Sequence, residues 1–193
     1  GSEAMAAVGS TSALINLIIN LFVGISVGAN VVVARNYGAR DYDGVHGAVH
    51  TSVLTALIGG VFLIFVGIAL ARPLLELMGT PADVLVNSIS YFRMYFMGSI
   101  AVVMYNVGAS ILQSVGDSKS PMEYLITASI INIILDLILV GWLRFGVGAA
   151  AFATIASQTV SAILAFAKLM RSQEEWAVRW REVRFDGPSL KAV

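Results

Sequence analysis

The sequence predicts an all-α, polytopic helical membrane protein. Of its 193 residues 58% are hydrophobic and only 12% charged, whereas soluble domains carry roughly 25% charged residues. Mean hydropathy is +0.82. Five separate apolar stretches come close to or exceed the length of about 20 residues that a helix needs to cross a bilayer. No strand-like alternation interrupts them.

The first span is expected from about 10 to 34 and the second from about 48 to 71. Between them, Gly38 to Asp43 reads as a short polar turn. The third span, about 84–113, is long enough to tilt or to project beyond the bilayer. Thr80-Pro81-Ala82-Asp83 reads as its capping box, with Pro at the first helical position. Ser120-Pro121-Met122-Glu123 has the same form and is expected to start the fourth span, about 121–143. The fifth covers about 147–170. These spans make one transmembrane bundle over 1–171, followed by a charged segment over 172–193.

Within that last segment, EEWAVRWREVRF interleaves Trp, Val and Phe with Arg. It is expected to form an amphipathic helix on the anionic lipid surface. Glu174, Glu175 and Glu182 mix with the arginines, which argues against nucleic acid as a partner.

Lys and Arg concentrate on the cytoplasmic side of membrane proteins. If Arg35 and Arg40 lie inside, so do Lys119, Lys168, Arg171 and the basic tail, nine of the twelve Lys/Arg in all. Arg72, Arg93 and Arg144 then lie at or near the outside. The first span consequently runs from outside to inside. A cytoplasmic start would require a further span ahead of Gly1, and a start at Gly1 rather than Met agrees with that expectation. Ahead of the first apolar run there is neither a basic region nor a cleavage pattern, so a secretory signal peptide is not expected.

Asp136 is the only acidic residue in the apolar run LITASIINIILDLILVGW, and Asn132 sits one helical turn before it on the same face. A charged group at bilayer depth costs roughly 2.5–3.5 kcal/mol on insertion scales, so such groups are usually retained for binding. The plain alternative is a neutral carboxyl bonded to a neighbouring helix. Depth adds a third group. Asp136 lies eight residues before Arg144, hence about 12 Å below that end of its helix at 1.5 Å per residue. Thr154 lies about seven residues into the returning helix, at a depth of about 10 Å. Gly148, Ala149, Ala150, Ala151 and Ala153 are small enough to let the two helices approach closely. The Asp136 carboxylate, Asn132 carbonyl and Thr154 hydroxyl are hard oxygen ligands that suit Na⁺ or a shared proton.

Other polar residues give weaker signals. Tyr91 and Tyr95 share a face with Asn87 and are a candidate substrate cavity, since aromatic faces attract organic cations. An interfacial aromatic belt explains the tyrosines equally well. Asn16, Asn20 and Asn30 either line a cavity or bond between helices. His46 and His50 are four apart, but no acidic or Cys partner at a telling spacing completes a metal site, so both are expected at the surface. With no cysteine, disulfides and thiolate metal sites are excluded. An intramembrane enzyme would need a Ser–His pair or facing carboxylates within the spans, which the sequence lacks. No cofactor is expected beyond a coupling ion.

Several stretches in order resemble the multidrug and toxic compound extrusion transporters. EAMAAVG leads into GISVGANVVVARNYGARD, which looks like the family's second helix and following loop. ILQSVGDSKSP looks like the loop between its fourth and fifth helices; NIILD and FGVGAAAFATIASQ look like the fifth and sixth. The family has two six-helix lobes around a central cavity. The resemblance implies that this chain supplies helices two to six of the N-terminal lobe, with 172–193 beginning the linker to the second lobe. It therefore implies partners within the same polypeptide, a first helix and a C-terminal lobe. The family's Asn and Asp on the fifth helix and Thr on the sixth form part of a cation site, which falls on Asn132, Asp136 and Thr154.

The implied function is Na⁺- or H⁺-coupled export of organic cations or drugs across the cell membrane (the inner membrane in a bacterium), in contact with membrane lipids. The alternative within the same fold group is a flippase for lipid-linked oligosaccharides. That reading favours an arginine-rich cavity, and Arg93 is the only arginine expected within a span.

Overall fold

A computed structural model describes residues 26–143 and 147–184, together with positions 16, 20, 23, 24, 186 and 187. The described part of the first helix, α1, covers 26–38. It is followed by α2 (Tyr42–Leu77), α3 (Ala82–Met97), α4 (Ser99–Ser114), α5 (Lys119–Asp136) and α6 (Val147–Arg171). The fold class is as expected: the described residues form helices and no strand. Three helices are long and apolar enough to cross a membrane, or four if the bent α3–α4 pair is one span. Most of the first expected span, about 10–34, lies outside the described residues.

The turn between α1 and α2 closes with Arg40 in the left-handed region, φ 58°. Asp41 then caps α2 by accepting the Gly44 backbone N–H at 3.0 Å. At 36 residues α2 is about 54 Å long, well beyond a hydrocarbon core of about 30 Å. It exceeds the expected span 48–71 at both ends, and its first three turns carry His46 and His50.

The third expected span is not one straight helix. It bends by 41° between α3 and α4. Gly98 and Ser99 form the kind of pair at which helices kink. Ser99 Oγ donates to the Phe96 carbonyl at 2.7 Å, which satisfies a group that the break exposes. A Cβ on Gly98 would lie 2.4 Å from Ile155 Cγ1 of α6, so the bend is packed against a neighbour that tolerates only glycine. On α2, a Cβ on Gly67 would meet Phe96 Cγ at 2.1 Å. Phe96 in turn stacks on Phe92 with ring centroids 4.6 Å apart.

Both expected capping boxes are corrected. Helix α3 starts at Ala82 with Pro81 at the cap and no capping side chain, while Thr80 Oγ1 is buried without a partner among the described residues. Helix α5 starts at Lys119, ahead of Pro121. The group that satisfies its first turn is Asp117, whose Oδ1 accepts the Ser120 N–H at 3.1 Å. Ser120 is taken by a different bond, from Lys168 Nζ to its Oγ at 2.5 Å.

Helices α2, α4 and α6 pack side by side and hold the core, including Val49, Val107, Ile111 and Leu169, all fully buried. Helix α5 sits at the edge against α6: only 6% of its span is buried inside the molecule, against 39% for α6. Ile133 and Leu137 are 58% and 66% exposed, a surface suited to lipid or to further helices.

The segment after α6 is not the amphipathic helix expected. It runs without α-helix through a turn closed by the Ala177 N–H on the Glu174 carbonyl at 3.0 Å and a short 3-10 turn, Trp180–Glu182, and folds back as a strap along α2 and α6. Val178 N–H donates to the Leu169 carbonyl at 3.1 Å, and Asp186 N–H to Thr51 Oγ1 at 3.0 Å. Ala177 and Val178 are buried, and the Trp180 ring lies 6.0 Å from that of Phe166. Ala177 and Val178 are thus used against the bundle, while Trp180 stays 49% exposed.

Candidate cation site

Asn132 and Asp136 lie one turn apart on α5, about 6 Å along its axis. Asp136 is the last α-helical residue of its span. The next six, Leu137–Trp142, wind as a wider π-helix, with Leu143 N–H bonding the Ile138 carbonyl at 2.9 Å. Such segments are uncommon and are found frequently at functional sites. Nothing in the sequence around Asp136 announced this one.

Both side chains carry an atom that is buried and meets no hydrogen-bond partner among the described residues: Asn132 Nδ2 and Asp136 Oδ1. Leaving a buried polar group unpaired costs roughly 1–3 kcal/mol. A ligand bound there would remove that cost. For Asn132 the free atom is the amide nitrogen, and a half-turn of the amide exchanges it for the carbonyl oxygen that a cation needs.

Thr154 sits on α6, which packs against α5 and its π-helical extension. Its hydroxyl donates to the Ala150 carbonyl at 3.0 Å. That bond uses the proton and leaves the oxygen lone pairs for a cation. Ala151 and Ala153 are fully buried, in keeping with a close α5–α6 approach.

Tyr91 and Tyr95 lie one turn apart on α3. The Tyr91 and Tyr95 rings are 6.4 Å apart and both half-buried. Tyr95, Ser99 and Asn106 line a small pocket at the α3–α4 bend. Of the three residues expected to line a substrate cavity, Tyr91 and Tyr95 are thus half-buried together on α3, while Asn87 is exposed.

The weaker polar signals separate. Asn30 is an interhelical bond, its Nδ2 donating to the Ser110 carbonyl at 3.0 Å, while Asn16 and Asn20 are exposed. The expectation of surface histidines is corrected. His50 is 1% exposed, with Nδ1 donating to the His46 carbonyl at 2.8 Å and Nε2 accepting the Arg179 N–H at 3.1 Å. His46 Nε2 is 2.7 Å from Glu182 Oε2. The hydrogen bond from His46 holds the Glu182 carboxyl below its ordinary range. The sequence hid this partner because Glu182 is 136 residues away.

A second polar cluster was also missed. Lys168 of α6 is bonded to Asp117 Oδ2 and to Ser120 Oγ. Burial alone would raise the Asp117 carboxyl; the bonds from Lys168 and Ser120 and the lysine charge outweigh it and bring the pKa down to about 2.

Residues 1–138 match the family model described as MatE. The chain belongs to the MATE transporter family. It is 31% identical over 178 residues to the probable multidrug resistance protein YoeA of Bacillus subtilis, covering 90% of this chain and 38% of YoeA. Two solved structures of a multidrug resistance MATE family transporter, one inward-facing and one outward-facing, each superpose with a TM-score of 0.91 at 31% identity. They cover all of this chain and 44% and 43% of theirs. The chain thus spans less than half the length of these relatives. Membership in a family of transporters agrees with the non-enzymatic reading, and the apolar helices make this MATE chain a multi-pass membrane protein.

Proposed function

We propose that this chain is one lobe of an antiporter that exports organic cations or drugs, driven by Na⁺ or H⁺. The observation that carries the proposal is the pair of buried, unpartnered polar atoms on Asn132 and Asp136 beside the start of a π-helix. In this reading Asp136 supplies charge, Asn132 and Thr154 supply neutral oxygens, and Tyr91, Tyr95 and Asn87 face the substrate. Ion or proton binding neutralises a carboxylate whose burial is costly, and so favours one packing of α5 against α6 over another. Equal likeness to inward- and outward-facing relatives fits a lobe that changes little itself while lobes move against each other.

The five spans, of which α1 and the α3–α4 pair would be two, belong to the same proposal. So does the role of residues 172–193 as a cytoplasmic linker between lobes. The test is efflux of a fluorescent organic cation from vesicles carrying the full-length protein, under imposed Na⁺ and pH gradients. We expect at least one gradient to drive efflux; if neither does, the coupling claim fails.

A further inference from the structure

His46 and His50 are the only histidines in a sequence without cysteine. They project from successive turns of α2 with ring centroids 4.1 Å apart. The 3-10 turn of the strap brings Glu182 to them, and one donor atom from each of the three residues lies within 4.8 Å of the other two. We propose that His46, His50 and Glu182 form a site for a divalent transition ion of the zinc class, which staples the strap to α2.

Two imidazole nitrogens and one carboxylate are a zinc-type donor set, with a fourth position left for water. His50 is already prepared for this role. Its Nδ1–H donates to the His46 carbonyl, a bond that fixes the tautomer and leaves the Nε2 lone pair as the donor, as outer contacts do for metal-bound histidines. At present that lone pair accepts the Arg179 N–H. An ion takes the place of this one neutral bond.

Tetrahedral zinc holds its donors about 3.4 Å apart. The His46–Glu182 pair at 2.7 Å must therefore open slightly and the widest pair must close. His46 and Glu182 have side chains 40% and 43% exposed, with room to make that adjustment. Arg179 approaches the other carboxylate oxygen, Oε1, at 3.8 Å and leaves Oε2 for the ion. An open pocket beside His46, lined by Asp43, Glu174 and Glu175, gives the ion a path and a negative field. The site is separate from Asp136 and does not depend on the transport reading.

The test is a Co²⁺ titration of the purified full-length protein, with its affinity tag removed, followed by visible ligand-field absorption. We expect tetrahedral cobalt bands that saturate at one ion per protein and disappear when zinc is added. His46→Gln and Glu182→Gln, both at partly exposed positions, should each weaken apparent affinity by about tenfold or more, while His46→Ala/Glu182→Ala should abolish the bands. Zinc should also slow proteolysis within 172–187 in the wild type and not in either single variant. Absent bands, or bands unchanged in both single variants, overturn the site. Normal bands with an unchanged cleavage rate overturn the staple.

Discussion

At the start of α5, Lys168, Asp117 and Ser120 bond to one another, whereas at its end Asn132 Nδ2 and Asp136 Oδ1 are buried without hydrogen-bond partners among the described residues. The two ends belong to the same pair of helices, α5 and α6. At the first end a lysine crosses from α6 to close the loop that starts α5, and nearby the strap covers α2 and α6 with backbone bonds to His50, Thr51 and Leu169. At the second end the helix widens into a π-turn, and Asn132 Nδ2 and Asp136 Oδ1 have no hydrogen-bond partner among the described residues. Buried polar groups in native proteins are nearly always satisfied, so an exception needs an explanation. The first end has the features of a structural joint. The second carries the proposed cation site.

The contrast can be broken most severely at Asp136. Asp136→Asn in the full-length protein should abolish coupled export, because an amide neither titrates nor offers negative charge to Na⁺. Membrane insertion and thermal stability should stay at wild-type values, since no hydrogen bond among the described residues is lost and a costly charge is removed. Paired efflux and melting measurements check both halves. Wild-type efflux would remove Asp136 from the mechanism, and a large fall in melting temperature would make it a structural residue like Asp117.

Thr154→Val is a finer cut. The substitution keeps the β-branched shape and deletes the oxygen. Among the described residues the hydroxyl bonds its own helix, at Ala150, so the stability loss should be small, about 0.6 kcal/mol. Loss of one ligand oxygen should weaken apparent ion affinity by about tenfold, equivalent to roughly 1.4 kcal/mol. Thr154→Ser should retain it. An unchanged ion dependence in the Val variant would leave Asp136 and Asn132 without this third ligand.

The legible parts of the molecule were those written in local composition. Asp136 and Asn132 stand out as candidates because the run around them is apolar, and Thr154 is a candidate from its depth on the returning helix. The bend at Gly98 was not legible, because Gly98 reads as one of many small residues until Ile155 is seen against it. The strap was misread for a related reason. Interleaved Trp, Val and Arg suit a lipid surface, but they equally suit a chain that buries Val178 and partly buries Trp176 and Val183 against the bundle. Glu182 reaches His46, and Lys168 reaches Asp117, only through tertiary packing. The π-turn after Asp136 has no signature in LILVGW, since wide turns arise where helix geometry is adjusted rather than from residue type.

The smallest expected effect comes from the joint at the start of α5. Lys168 and Asp117 have side chains 39% and 24% exposed, so solvent screens their attraction and the pair is worth about 1 kcal/mol or less. Asp117→Asn should therefore lower thermal stability only slightly at neutral pH, and it should leave ion affinity and efflux unchanged, in contrast to both substitutions at the other end. The pH dependence identifies the interaction. The Asp117 carboxyl titrates near 2 in the folded protein, below its ordinary value of 3.8, so the native state favours the ionised form. Its contribution is complete above about pH 4 and is lost as the pH falls through about 2. Melting curves of wild type and Asp117→Asn should converge over that interval. A stability gap that persists at pH 2 would mean that Asp117 acts through a contact other than its charge, and that the joint is held by packing around Ser120 instead.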